Sequence, residues 1–236
     1  MKNKNAKIGI ITNALLVLIF TAVFAVSFIP QSVVPIYGGS RLNAIYNGNR
    51  EKPNVSLMFN VYENTQIVNS IIDTLNEYGV KCTFFVGGCW ADDNEQTLKR
   101  MVEEGHEIAN HGYFHKDHKN LNYDNNCKEI QNTSTIINAL CGVTPTLFAP
   151  PSGSFSEITL EACFDLGYKV IMWSKDTIDW RDKDPALVEK RATNGLTNGD
   201  LVLMHPKEHT LKALPKILEF CRANRLTVVT VTENLK

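Results

Sequence analysis

The residues best suited to chemistry stand together in Asn110-His111-Gly112-Tyr113-Phe114-His115. Two histidines four positions apart share one face if the segment is helical, so both imidazoles could reach one ion. Imidazole is a good ligand for Zn²⁺ and other late first-row metals. The spacing alone leaves a second reading open, a solvated turn whose histidines cap or hydrogen-bond. Further polar candidates fall just after apolar runs: Asn60, Pro150, Asp176, Asp179 and His205.

The elements that must position these residues alternate. Val55 to Phe59 reads as a strand, and Gln66 to Tyr78 as a helix stopped by Gly79. Cys82 to Val86 predicts a strand, Asp92 to Glu104 a helix, and Glu107 to Ala109 a strand leading to the histidines. Helices over Cys127 to Leu140, Glu157 to Leu166, Pro185 to Ala192 and Thr210 to Ala223 then separate strands at Thr146 to Phe148, Tyr168 to Trp173, Asp200 to Met204 and Leu226 to Val231. A strand–helix alternation repeated about seven times argues for a parallel sheet with helices outside, in a barrel or an open doubly wound sheet. The polar candidates follow strand ends, which converge on one mouth in a barrel. The expected fold is therefore α/β, an irregular (β/α) barrel of about seven strands over residues 54–236.

Ahead of it, Lys2, Lys4 and Lys7 precede Ile8 to Ile29, an uncharged run of 22 residues in the 236-residue chain. That length can cross a bilayer, and the basic leader would hold its own end in the cytoplasm. The expectation is a single-pass transmembrane helix with the domain on the extracytoplasmic side. A cleaved signal peptide, with a small-residue site near Val23-Phe24-Ala25, is the rival. Residues 30–53, rich in Pro, Gly, Asn and Ser, read as a tether. Net charge is −1, so no basic field suggests nucleic acid. None of the six cysteines forms a Cys-x-x-Cys pair, which argues against a cysteine zinc site and leaves buried thiols or disulfides open.

Four segments in order resemble the polysaccharide deacetylases of carbohydrate esterase family four, the NodB homology domain. Asn110 to His115 is similar to the family's metal segment, Phe148-Ala149-Pro150-Pro151-Ser152-Gly153 to its Phe-Arg-Pro-Pro-x-Gly, Asp176 to Trp180 to its Asp-x-x-Asp-Trp, and Leu201 to His205 to its Leu-x-Leu-x-His. The resemblance covers about Val55 to Asn234. It implies a divalent metal, Zn²⁺ or similar, on His111 and His115, and an N-acetylated cell-wall polysaccharide as partner. It implies His205 as general acid, Asp179 holding the ring of His205, and Pro150, Pro151 and Trp180 shaping the sugar groove.

The first segment departs from the family. Where the family has Thr-Phe-Asp-Asp-Gly, this chain has Met58-Phe59-Asn60-Val61-Tyr62. Asn60 stands at the position of the aspartate base and Val61 at that of the third metal ligand. An amide accepts no proton at useful pH, and valine offers no lone pair. Ala149 replaces the arginine that supports the base, Gly112 replaces a Ser/Thr, and Glu63 is the nearest spare carboxylate. The pattern is similar to membrane-anchored, sporulation-associated deacetylase-like proteins. Three functions follow: a metal-dependent deacetylase of weakened metal affinity and rate, a glycan-binding pseudoenzyme of wall or spore assembly, or an anchored structural scaffold that uses neither site.

Overall fold

The computed structural model describes residues 42–236. Its organising element is β1 (Asn54–Val61), which pairs in parallel with β2 (Thr83–Val86) on one side and β7 (Leu201–Met204) on the other. β3 (Glu107–Asn110), β4 (Leu147–Phe148) and β5 (Lys169–Val170) extend the sheet past β2, and β6 (Lys175–Asp176) extends it past β7. The order is β5-β4-β3-β2-β1-β7-β6, with β8 (Thr227–Val228) paired to the start of β1. The path has two ends, β5 and β6, yet Val170 and Lys175 are five residues apart. Five residues span at most about 18 Å, so the sheet must curl until its edges nearly meet. The expected parallel α/β barrel is therefore a curled half-barrel that does not close by hydrogen bonds. Strands of two residues at both ends are too short to form a closing ladder.

Side-chain alternation divides the core. Val55, Leu57, Phe59 and Val61 of β1 join the large cluster under the helices, while Met58 faces Phe85, Ala109, Leu147, Ala149, Ile171 and Leu201 inside the sheet's curve. The helices that cover the outside are α1 (Thr65–Glu77), α2 (Gly88–Asp93), α3 (Glu95–Glu103), α4 (Tyr123–Cys141), α5 (Glu157–Asp165), α6 (Pro185–Thr193) and α7 (Glu208–Ala223), with α8 (Val231–Asn234) as a final turn. The helix expected over Asp92 to Glu104 is broken in two at Asn94, which leaves helical geometry (φ −133°, ψ 41°) and donates its side-chain amide to Trp90 O. The Tyr168 to Trp173 run shrinks to the two residues of β5, and Leu226 to Val231 to the two of β8.

Part of the expected tether is built into the domain. Ile45 N donates to Val170 O (2.8 Å), and Met172 N donates to Ile45 O (2.7 Å). Asn47 forms an antiparallel bridge with Asp200. Among the described residues no helix is long and apolar enough to cross a membrane; the expected span, Ile8 to Ile29, lies outside them.

Candidate active site

The strand ends of β1, β3, β6 and β7 surround a cleft of about 300 Å³. Asn60, His111, His115, Trp180 and His205 line it, together with Tyr62, Ser152, Gly153, Trp173, Asp176 and Leu203. The histidine pair and the His205 side thus meet as the sequence motifs imply. The pair does so from a loop rather than a helix.

That loop is wound around an anchor. At the end of β3, Asn110 donates to Ile130 O (2.8 Å) and accepts from Gly112 N (2.9 Å). Gly112 has φ +74°, and a Cβ there would sit 3.0 Å from His118 Nε2, so a side chain would strain the backbone and press on His118. Tyr113 N and Phe114 N then both donate to Glu129 Oε2 (2.9 and 2.8 Å), while Lys116 Nζ pairs with Oε1 at 2.9 Å. Glu129 is buried on α4. Its carboxylate takes two orphan amides and one cation, which is the condition for burying a charge. The wrapped loop leaves His115 at φ +53°. Glu129→Gln removes the charge and turns an amide N–H toward a donor, so a loss of about 1–3 kcal/mol in folding stability is expected. Hydrogen exchange should show the Tyr113 and Phe114 amides losing protection first. Unchanged protection there would refute the anchoring role.

His111 is 1% exposed. Its Nδ1–H donates to Ala149 O (2.7 Å), which leaves Nε2 a bare acceptor, buried and without a hydrogen-bond partner among the described residues. Burial, with His115 nearby, holds its pKa well below the ordinary imidazole value. Burial also lowers that of His115. The two rings meet edge-on, centroids 5.1 Å apart at 66°. The backbone of Ala149 does this orienting, so the side chain at position 149 has no part in fixing His111.

The other wall is a second fixed imidazole. Asp179 Oδ1 accepts from His205 Nδ1–H (2.7 Å), and Oδ2 accepts from His205 N (2.7 Å) and Thr210 Oγ1 (2.6 Å). Burial works to raise the Asp179 pKa, but the hydrogen bonds and charge of His205, with Thr210, outweigh it and leave the carboxyl below its usual range. The turn that delivers Asp179 is strained: Ile178 has φ +54°, held by Asp176 Oδ1 accepting from Ile178 N (2.8 Å). A β-branched residue in that region costs about 1–3 kcal/mol, a price accepted where surrounding contacts fix the turn. His205 Nδ1 is thereby committed, and Nε2 is left for the cleft.

The structure places several of the positions singled out in the sequence outside the cleft. Val61 does not stand beside Asn60 in the cleft. Successive strand residues face opposite sides, β1 keeps its pairing through Val61↔Val86, and Val61 is fully buried in the outer cluster. Tyr62 enters the cleft instead, its ring 4.1 Å from the His115 ring and 6.3 Å from that of His111. Pro150 and Pro151 do not line the cleft either; both are buried, and their turn presents Ser152 (φ +55°) and Gly153 as its wall. Gly153 is required there, since a Cβ would lie 2.7 Å from Trp173. Trp180 is 56% exposed at the rim, with Arg181 over its ring at 5.8 Å. Glu63 is tied to Lys207 and is absent from the lining.

A model of the polysaccharide deacetylase family matches residues 47–171, more than half of the chain. This chain belongs to the polysaccharide deacetylase family. Among its relatives is the uncharacterized protein YlxY of Bacillus subtilis, 34% identical over 80% of this chain and 59% of that protein. A peptidoglycan-N-acetylglucosamine deacetylase of Listeria monocytogenes is 30% identical over 76% of this chain, which spans only 38% of that enzyme. A crystal structure of a CE4 family pseudoenzyme from Bacillus anthracis superposes with TM-score 0.80 at 33% identity, covering 82% of this chain and 69% of that one. A mutant of that pseudoenzyme described as having restored enzymatic activity superposes equally well, at 31% identity.

Polysaccharide deacetylases are metal-dependent as a class, so the fit of a metal matters. His111 Nε2 has the tautomer a metal ligand needs. A catalytic zinc takes three protein ligands, however, and among the described residues no group of three or more His, Cys, Asp and Glu side chains is placed to hold an ion. With Val61 turned into the core and the Tyr62 ring against His115, the residues present do not make the family's metal site.

Proposed function

We propose that this polysaccharide deacetylase family member binds cell-wall glycan of the peptidoglycan type in its cleft and is impaired in catalysis. One observation carries the reading. The cleft keeps its binding walls and the His205–Asp179 pair, while the base position holds Asn60 and the third-ligand position, Val61, faces away from it. Similarity to a named pseudoenzyme and to named peptidoglycan deacetylases supports it. Metal analysis of the full-length chain, run beside acetate release and glycan retention, tests it. Retention of peptidoglycan without stoichiometric zinc, at acetate release far below that of an active relative, is the expected result. Deacetylation at ordinary rates that Glu63→Gln abolishes would overturn the reading.

A second reading, slow deacetylation, is favoured by the intact His205–Asp179 pair, which still offers a fixed general acid. It predicts weak zinc binding that His111→Ala/His115→Ala abolishes.

The setting proposed is the outer face of the cell membrane, in wall or spore assembly. Its support is the basic leader before the uncharged Ile8 to Ile29 run. N-terminal sequencing of the native protein is expected to find this run still attached; a mature start near Val26 or Phe28 would mean a cleaved signal peptide instead.

A further inference from the structure

An active deacetylase must grip an acetamido carbonyl, an acceptor, with donors or a cation. Two buried groups on the β1–β3 side of this cleft offer the opposite chemistry. Asn60 Oδ1 and His111 Nε2 are both acceptors, both buried, and both without partners among the described residues. Their side chains belong to the cleft lining and are 2% and 1% exposed. An unpaired buried acceptor costs free energy until a donor reaches it. Asp176 adds a carboxylate to the lining with Oδ1 bonded to Ile178 N and Oδ2 free of partners among the described residues. Tyr62, Trp173 and Trp180 add aromatic walls.

No lysine or arginine lines the cleft among the described residues. The cations around it are already committed: Arg181 is bound to Asp182 through two 2.9 Å hydrogen bonds, and Lys207 is tied to Glu63. Unpaired acceptors, one carboxylate and π faces together favour a ligand that is rich in N–H and O–H donors and carries positive charge.

We propose that the sugar seated in this cleft is a de-N-acetylated one, a glucosamine residue with its free ammonium group, bound without a metal. The chain would then read the product that active members of its family make. This rests on the glycan-binding reading and names the ligand class of that site. An ammonium supplies three donors where an acetamido group supplies one N–H, a carbonyl acceptor and an apolar methyl.

The test is calorimetric titration of the full-length chain, held in detergent, with chitosan, chitin and cellulose oligomers of equal length, each with and without EDTA. The chitosan oligomer is expected to bind about ten-fold tighter than either of the others, the scale of one charge-assisted hydrogen bond. EDTA is expected to leave all three unchanged. Asp176→Asn retains an acceptor for Ile178 N while removing the charge, and should cut the preference several-fold; Asn60→Leu, which removes a different acceptor, should do so independently. Chitin bound as tightly as chitosan, a preference that survives both substitutions, or binding that EDTA abolishes would each overturn this inference while leaving glycan binding intact. Failure of all three oligomers to bind, with peptidoglycan also not retained, would overturn the glycan reading and this one with it.

Discussion

Replacing Asn60, Val61 and Tyr62 together by Asp, Asp and Gly is expected to raise acetate release from N-acetylated glycan by roughly 10²–10⁴-fold over the parent chain, the usual worth of a general base. The Asn60 side chain already faces the cleft with its Oδ1 unpaired among the described residues, and an aspartate has the same shape. The second carboxylate is harder to place. Val61 sits in the outer core and its backbone continues the β1–β2 ladder. An aspartate there either buries an unpaired charge or pulls the strand end out of register. Val61→Asp alone should therefore destabilise the domain by about 2–5 kcal/mol, the range for an unpaired buried charge plus the lost valine burial.

Glycine at position 62 supplies both remedies. It removes the ring that packs against His115, and it lets the chain turn where β1 now ends, so that residue 61 can face the histidines. The order of variants is the discriminating result. The triple variant should retain about one zinc per chain after dialysis, with His111, His115 and the new carboxylate making up the three protein ligands a catalytic zinc takes. Asn60→Asp/Val61→Asp with Tyr62 intact should be less stable and slower. Equal zinc content and equal rates for the double and triple variants would show that Tyr62 obstructs nothing. A triple variant that binds zinc yet releases no acetate would show that the His205 side has also drifted.

This dependence on neighbouring residues marks what was legible in the sequence and what was not. The alternation of apolar strands and glycine-stopped helices announced a parallel α/β fold, because period and punctuation are local properties. The histidine pair and the strand-end positions of Asp179 and His205 were visible for the same reason. The orientation of Val61 was not. Position in a motif says which residues are adjacent, whereas the face each one takes is decided by how far the ladder with Val86 runs. Glu129 was hidden because its partners are backbone amides sixteen and fifteen residues earlier in the chain, and an acid on a helix resembles any solvated one. Ile45 and Asn47 lay in a stretch with the composition of a tether; their role appears only when Val170 and Asp200 come alongside.

Asp179→Asn is expected to cost about 3–5 kcal/mol at neutral pH, the scale for breaking a buried charge-assisted network. The carboxylate accepts from His205 Nδ1, His205 N and Thr210 Oγ1, and an asparagine can offer only one oxygen to these donors. Its NH₂ would face the side-chain or backbone N–H of His205, and the imidazole would lose the partner that fixes its tautomer. The pH dependence follows from the lowered pKa of Asp179. The unfolded chain takes up this proton near the ordinary aspartate value, about 3.9, and the folded chain only at lower pH. The carboxylate's contribution is therefore fully present above pH ~4 and fades as pH falls through the folded value. Urea unfolding of parent and variant at pH 7 and at pH 3 isolates this group, since every other acid is common to both chains. The gap between them should narrow at the lower pH. A gap of the same size at both would show that Asp179 is held by packing and not by charge, and that His205 does not owe its orientation to an ionised partner.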